Sequence, residues 1–412
     1  CWFQESKKSE PNEYSNRYIW TDSWIYWGHE NVRFVAGEAE RNGVYIINFF
    51  KCQPALNYGF LEVREPWQLP PDHPDCVATR EALKDIMRFW LEKGCDGFRV
   101  DMADSLVKND DENKNATQAV WRNVRSMLDA EFPDAALVSE WSAPGRSLRA
   151  GFHMDFLLDH EGSGYKSLLR DYRMGADNRP CGEDNSFFKK DGHGDIRRFL
   201  DQYLSWYEDT KNIGFISLIT GNHDTPRISA NFSDRELALA YCVLFTFPGV
   251  PFLYYGDEIG MRYLSLGSKE GGYTRTGSRT PMQWDNGKNK GFSTAEPDQL
   301  YLPVDPSPDA PTVEAQERDP ASLLNVLKEI LHLRHAEPEL QAASPFSVVY
   351  AEHGRLPFVY RRGSLILAVN PGTTPASAEI GLQGKAVYTL GTCELQNGLC
   401  TMEGQSFGIW RE

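Results

Sequence analysis

A chain of 412 residues, 41% hydrophobic and 25% charged, has the composition of a globular protein, and its length exceeds what one hydrophobic core usually serves, so a large domain with smaller appendages is expected. The formal net charge of -15 excludes nucleic acid and an anionic membrane as main partners, because the long-range field repels phosphate and leaves a neutral ligand unaffected. No apolar run approaches the roughly 18 residues needed to cross a bilayer, and none reads as a secretory leader.

Residues 1–58 are rich in Trp, Tyr, Asn and Gly with little helical period and read as an irregular insertion. From about residue 77, amphipathic helices alternate with short apolar runs, the pattern of parallel strands covered by helices. A helix near 79–93 sets Leu83, Ile86, Met87, Trp90 and Leu91 on one face and stops at Gly94. The strand Gly97–Val100 follows, ending at Asp101. A second helix near 117–130 presents Val120, Trp121, Val124, Met127 and Leu128; Pro133 then breaks the pattern before the strand Ala136–Ser139, which ends at Glu140. The run 156–158 ends at Asp159. A helix near 195–208 leads to a strand over 215–219 and the segment Gly221-Asn222-His223-Asp224. Ser233 and Glu236 form a capping box that opens the next helix, which Pro248 ends, and 251–255 reads as one more strand. Asp319 and Pro320 occupy N-cap and N1 positions of a last helix bearing Leu323, Leu324, Leu327, Ile330 and Leu331. After Pro338, short alternating runs at 346–350, 358–361 and 365–369 predict a small antiparallel β domain.

Five runs thus deliver polar residues at the carboxyl ends of strands, where barrels and open α/β sheets place their sites. Retaining cleavage of a glycosidic bond needs a nucleophilic carboxylate on one face of the sugar and a carboxylic acid on the other, roughly 5–5.5 Å apart. Further negative charge stabilises the developing oxocarbenium ion. Asp101, Glu140 and Asp224 each stand directly after a predicted strand. Arg99, two residues before Asp101, lies on the same side of its strand and is placed to hold that aspartate ionised. Glu140 must instead carry a proton, which calls for nearby negative charge or an apolar neighbour such as Trp141. Taken one at a time, these acids are ordinary strand-end residues.

Eight cysteines at 1, 52, 76, 95, 181, 242, 393 and 400 show no metal-ligand spacing and read mostly as buried thiols; Cys393 and Cys400 flank a turn at hairpin-disulfide spacing. His332 and His335 offer two helical ligand positions without a third, so no metal is expected.

The stretches Gly97-Phe98-Arg99-Val100-Asp101, Val138-Ser139-Glu140-Trp141 and Gly221-Asn222-His223-Asp224 resemble, in order, three signature regions of the α-amylase superfamily. That resemblance implies a (β/α)8 TIM barrel with an inserted B domain and a C-terminal antiparallel β-sandwich. The expected organisation is 1–58 as the B domain, 59–340 as strands four to eight of the barrel, and 341–412 as the β domain. The first three strands and the first signature region are expected in an upstream segment of the same polypeptide. It carries over Asp101 as nucleophile, Glu140 as general acid/base, Asp224 as transition-state stabiliser, and Arg99 and His223 as supporting residues. Trp2-Phe3-Gln4-Glu5-Ser6, Arg279-Thr280-Pro281-Met282-Gln283-Trp284 and Asn289-Lys290-Gly291-Phe292-Ser293 resemble oligo-1,6-glucosidases, α-glucosidases and trehalose synthases. Ala55 and Thr225 depart from that group, where Asp and Gln are usual. Trp141 and Phe98 are expected near the pocket, and Arg227 and Arg279 facing a second sugar ring. The expected activity is hydrolysis of short α-glucosides in a bacterial cytoplasm, without cofactor or metal. Its alternatives are glucosyl transfer of the trehalose synthase kind, an endo-acting amylase, and an inactive binding subunit.

Overall fold

The computed structural model describes residues 1–21, 33–177, 179–268 and 273–412; residues 22–32 of the expected insertion lie outside the described residues. The chain divides into two compact units, Cys1–Asp155 and Phe156–Glu412, and the division falls inside the segment 59–340 expected to be barrel.

In the first unit, residues 1–58 carry more regular structure than their composition suggests. A short helix, Trp2–Ser6, precedes an antiparallel sheet in the order Trp20–Thr21, Val44–Ile47, Arg33–Ala36. Val44, Tyr45 and Ile46 are all buried, and Ile46 joins Ile19, Ala55 and Phe60 in one apolar cluster. The next helix runs Pro74–Glu92, earlier than its apolar period suggests. Pro74 stands at its first position, and the His73 ring accepts the Asp75 N–H at 3.2 Å. Its expected apolar face is only partly used. Met87 and Leu91 are buried, while Ile86 and Trp90 are 44% and 48% exposed. The helix Asn115–Glu131 buries Val120, Trp121, Val124, Met127 and Leu128 as its period predicts. Most of these pack with Leu137, Trp141 and Phe152 in the central cluster, at roughly 1.5–3 kcal/mol for each large apolar side chain taken from water.

These helices flank parallel strands. Gly97–Val100 pairs with Ala136–Ser139 in register Gly97↔Ala136 to Val100↔Ser139, and Ser139 pairs onward with Asp155. Residues 101 and 140 therefore leave neighbouring strands at the same level. The close pairing depends on Gly97, whose φ is +154° and where a Cβ would be driven into the Ala136 carbonyl oxygen. Gly97→Ala is expected to lower unfolding free energy by about 2–3 kcal/mol, read from the denaturant midpoint against wild type; an unchanged midpoint would show that the strands separate freely there.

In the second unit the Leu157 N–H bonds to the Ser217 carbonyl at 3.0 Å, alongside the strand Phe215–Ser217. The expected strand at 251–255 is reduced to a single parallel bridge, Ile219↔Phe252. Pro251 has no N–H to give, and the Tyr254 N–H is taken by Thr220 Oγ1 at 3.0 Å instead of a ladder partner. The helix Ile196–Thr210 is capped by Asp195, whose carboxylate accepts the Arg197 N–H. The capping box of Ser233 and Glu236 opens Asp234–Leu244. The last helix is Leu323–Ala336 and its cap is Ser322, not Asp319, because a separate short helix, Val313–Arg318, occupies the preceding residues and ends at Asp319. From Phe346 onward the strands form antiparallel sheets of five and three. All eight cysteines are free, and only Cys76, Cys242 and Cys400 are buried, so the expectation of mostly buried thiols fails. Among the described residues no helix is long and apolar enough to cross a membrane.

Candidate active site

The strands Gly97–Val100 and Ala136–Ser139 place Asp101 and Glu140 directly at their ends, whereas Asp224 lies in the loop beyond Phe215–Ser217. Asp101 and Glu140 follow paired strands, and one guanidinium joins them: Arg99 Nη1 lies 2.5 Å from Asp101 Oδ1 and Nη2 lies 2.6 Å from Glu140 Oε1. The Glu140 N–H is tied back to the Val100 carbonyl at 2.9 Å, and the Met102 N–H donates to Glu140 Oε2 at 3.1 Å. Met102 takes this position with φ +40°, a conformation that costs a side-chain-bearing residue energy and persists where surrounding contacts enforce it.

The two acids sit in different surroundings. The Asp101 side chain is 67% exposed and that of Glu140 only 12%. Burial is the largest influence on Glu140 and raises its carboxyl above the ordinary glutamate range; the Met102 N–H and Arg99 pull it down, and Asp101 adds to the rise. A half-open aspartate beside an arginine suits a nucleophile, and a sheltered glutamate inclined to keep its proton suits an acid.

Asp224 has a cationic setting within the second unit. Arg275 Nη1 and Arg279 Nη2 approach its Oδ1 at 3.0 and 2.9 Å, and His223 Nε2 lies 3.3 Å from Oδ2. Burial works against its ionisation, but His223, Arg275 and Arg279 overcome this and hold the carboxyl below the usual range. Arg279 also donates from Nε to the His223 carbonyl at 2.8 Å, fixing the backbone as well as the charge. Gly221, just upstream, leaves room for the buried Arg170, whose Nη2 would lie 2.9 Å from an added Cβ. Arg170 in turn donates to the Thr220 and Pro226 carbonyls at 2.6 and 2.9 Å. Asp224 lines a cavity of about 640 Å³ with Asp159, Lys166, Arg170, Tyr172 and Thr225. That is room for a disaccharide-sized ligand.

Other expected positions come out differently. Trp141 is buried and packs edge-on to Phe152 in the central cluster, and Phe98 packs against the same cluster. Trp141 is thus a core residue, and Phe98 is only partly buried. Arg227 is 1% exposed. Its Nη1 pairs with Asp257 Oδ1 at 3.0 Å and donates to the Tyr255 carbonyl at 2.7 Å, and its guanidinium lies over the rings of Tyr254 and Tyr255. Burial pushes Asp257 up, and Arg227, Thr220 and Arg170 pull it back. Arg227 is thus held inside the unit by Asp257 and the Tyr255 carbonyl, out of reach of solvent. Arg279 does reach the site, through Asp224. Sequence reasoning missed Arg275, and its only signal was a second arginine four residues before Arg279.

Comparison with known proteins agrees with the motifs. The family model of the alpha amylase catalytic domain matches residues 1–343. The trehalose synthase/amylase TreS of Mycobacterium tuberculosis is 29% identical over 442 residues, covering 94% of this chain and 67% of that protein. The probable oligo-1,6-glucosidase 2 of Bacillus subtilis is 25% identical over 427 residues, covering 88% and 69%. The amino acid transporter heavy chain SLC3A1 of Mus musculus is 27% identical over 372 residues, covering 81% of this chain and 50% of its own length. Among solved structures, an alpha-amylase from H.orenii superposes with a TM-score of 0.71 at 19% identity, covering 100% of this chain and 77% of that one.

Proposed function

Because the chain belongs to the alpha-amylase catalytic-domain family and has its TIM-barrel fold, we propose that it is a retaining α-glycoside hydrolase acting on short α-glucosides of the maltose or isomaltose type. Homologues in this family are glycoside hydrolases or related glycosyl-processing enzymes, trehalose synthase and oligo-1,6-glucosidase among them. The observation that carries the reading is the Arg99 guanidinium shared between an open aspartate and a sheltered glutamate at the ends of paired parallel strands.

In this reading the Asp101 carboxylate attacks the anomeric carbon while the protonated Glu140 gives its proton to the departing glycosidic oxygen. The product is a covalent glucosyl ester on Asp101. Glu140, now ionised, takes a proton from water, which attacks the same carbon, releases Asp101 and restores the original configuration. Asp224 supplies negative charge as the oxocarbenium ion develops, and His223 and Arg279 hold it in place. The site of action is proposed as a bacterial cytoplasm, with no cofactor.

The relationship to TreS favours one second reading, in which a sugar hydroxyl replaces water in the second step. Incubation with maltose and chromatography of the products separates the two. Glucose alone is expected; trehalose as the main product would favour transfer, and unreacted maltose would count against both.

A further inference from the structure

We infer that Asp155 is a positioning residue for Glu140, holding the acid/base in line through the backbone that follows it. The proposal rests on the glycosidase reading above for the role of Glu140. Asp155 is the middle residue of the short strand Met154–Phe156, which lies beside Ala136–Ser139, and is 0% exposed. Four donors converge on its carboxylate. The N–H groups of Trp141 and Ser142 lie 3.2 Å from Oδ1, the N–H of Ala143 lies 2.8 Å from Oδ2, and the Ser139 hydroxyl lies 2.7 Å from Oδ1. These are the three residues directly after Glu140 and the one directly before it.

The arrangement is specific. The Trp141 N–H is buried, and leaving such a donor unmet costs about 1–3 kcal/mol; those of Ser142 and Ala143 are part-buried and turn to the same carboxylate. They meet a single carboxylate because Ser142 adopts φ +56°, which turns consecutive N–H groups toward one point. Ser139 extends the anchor, since its Oγ also lies 2.5 Å from Ser147 Oγ in the helix Pro144–Arg149. Burial pushes the Asp155 carboxyl up to about 7, and the four contacts partly offset that cost. Glu140 is therefore fixed from both sides: its own N–H is bonded to Val100, and the chain beyond it is clasped by Asp155. The Glu140 side chain makes no contact with Asp155 that the mechanism uses, so the effect passes through the main chain.

The test compares two donors in the full protein. Maltose needs a proton on its leaving oxygen; α-glucosyl fluoride departs without one. Asp155→Asn keeps the shape but turns an NH2 group toward backbone donors. It is expected to lower kcat/KM for maltose by at least about tenfold while changing the fluoride by less than about threefold. Equal losses on both donors would overturn the proposal, because a merely structural defect does not distinguish leaving groups. Should that variant fail to fold, Ser139→Ala, which removes the hydroxyl shared with Asp155 and Ser147 and no charge, is expected to give the same pattern in weaker form, and equal losses there would again overturn it. A wild-type protein inert toward both donors would remove the glycosidase reading; the tether is then judged by amide hydrogen exchange at Ser142 and Ala143. Exchange faster by about tenfold in Asp155→Asn supports it, and unchanged exchange overturns it.

Discussion

Asp101→Asn is expected to lower kcat on maltose by at least about a thousandfold while leaving the thermal unfolding midpoint within a few degrees of wild type. The amide is isosteric, so it fills the same space, but it is uncharged and a poor nucleophile toward an anomeric carbon. The fold should tolerate the change because the side chain is 67% exposed and its ion pair with Arg99 is open to water; such pairs contribute about 0–1 kcal/mol. Arg99 keeps its second partner, Glu140, at 2.6 Å. The same variant addresses the reading suggested by SLC3A1, whose name describes a transporter subunit. Turnover within tenfold of wild type would eliminate the covalent mechanism, and a wild-type protein without turnover on any α-glucoside would favour a binding role.

The second large effect concerns Glu140. Hydrolysis in the proposed first step needs its protonated form, and burial raises its carboxyl above the ordinary value of 4.5. Activity on maltose should therefore fall as pH rises through that raised value, which sets the alkaline limb of the pH profile. Glu140→Gln is expected to lower kcat/KM on maltose by about 10²- to 10⁴-fold and to remove the alkaline limb, because glutamine does not titrate. Rate measurements from pH 4 to 9 on both proteins check this. An alkaline limb that survives in Glu140→Gln would assign the acid to another group.

The candidate residues stand out in the sequence to different degrees. Asp101, Glu140 and Asp224 were marked by the residues around them, and Arg99 by the two-residue alternation of a strand. The failures share a cause, which is that burial of a charged or aromatic side chain depends on partners distant in sequence. Arg227 sits in a motif, and arginines are seldom buried unless paired; its partner Asp257 lies thirty residues on and nothing local announces the pair. Trp141 follows the acid directly but turns into the core, because Phe152 and Trp121 wait there. Trp90 shows the reverse, holding a helical period that predicted a covered face and standing half exposed. The run 251–255 had the composition of a strand, yet Thr220 takes the N–H that a ladder needs. Asp155 escaped notice because one aspartate in a short apolar run carries no signal until the loop it clasps is seen.

The buried pairing of Arg227 with Asp257 has a bearing on how the loop that carries Asp224 behaves in time. Sliding that loop would draw a cation away from its counter-ion where no solvent can step in, at a cost of about 3–5 kcal/mol. The chain three residues beyond Asp224 is accordingly bolted to bedrock, and any movement of that loop has to begin on its other side.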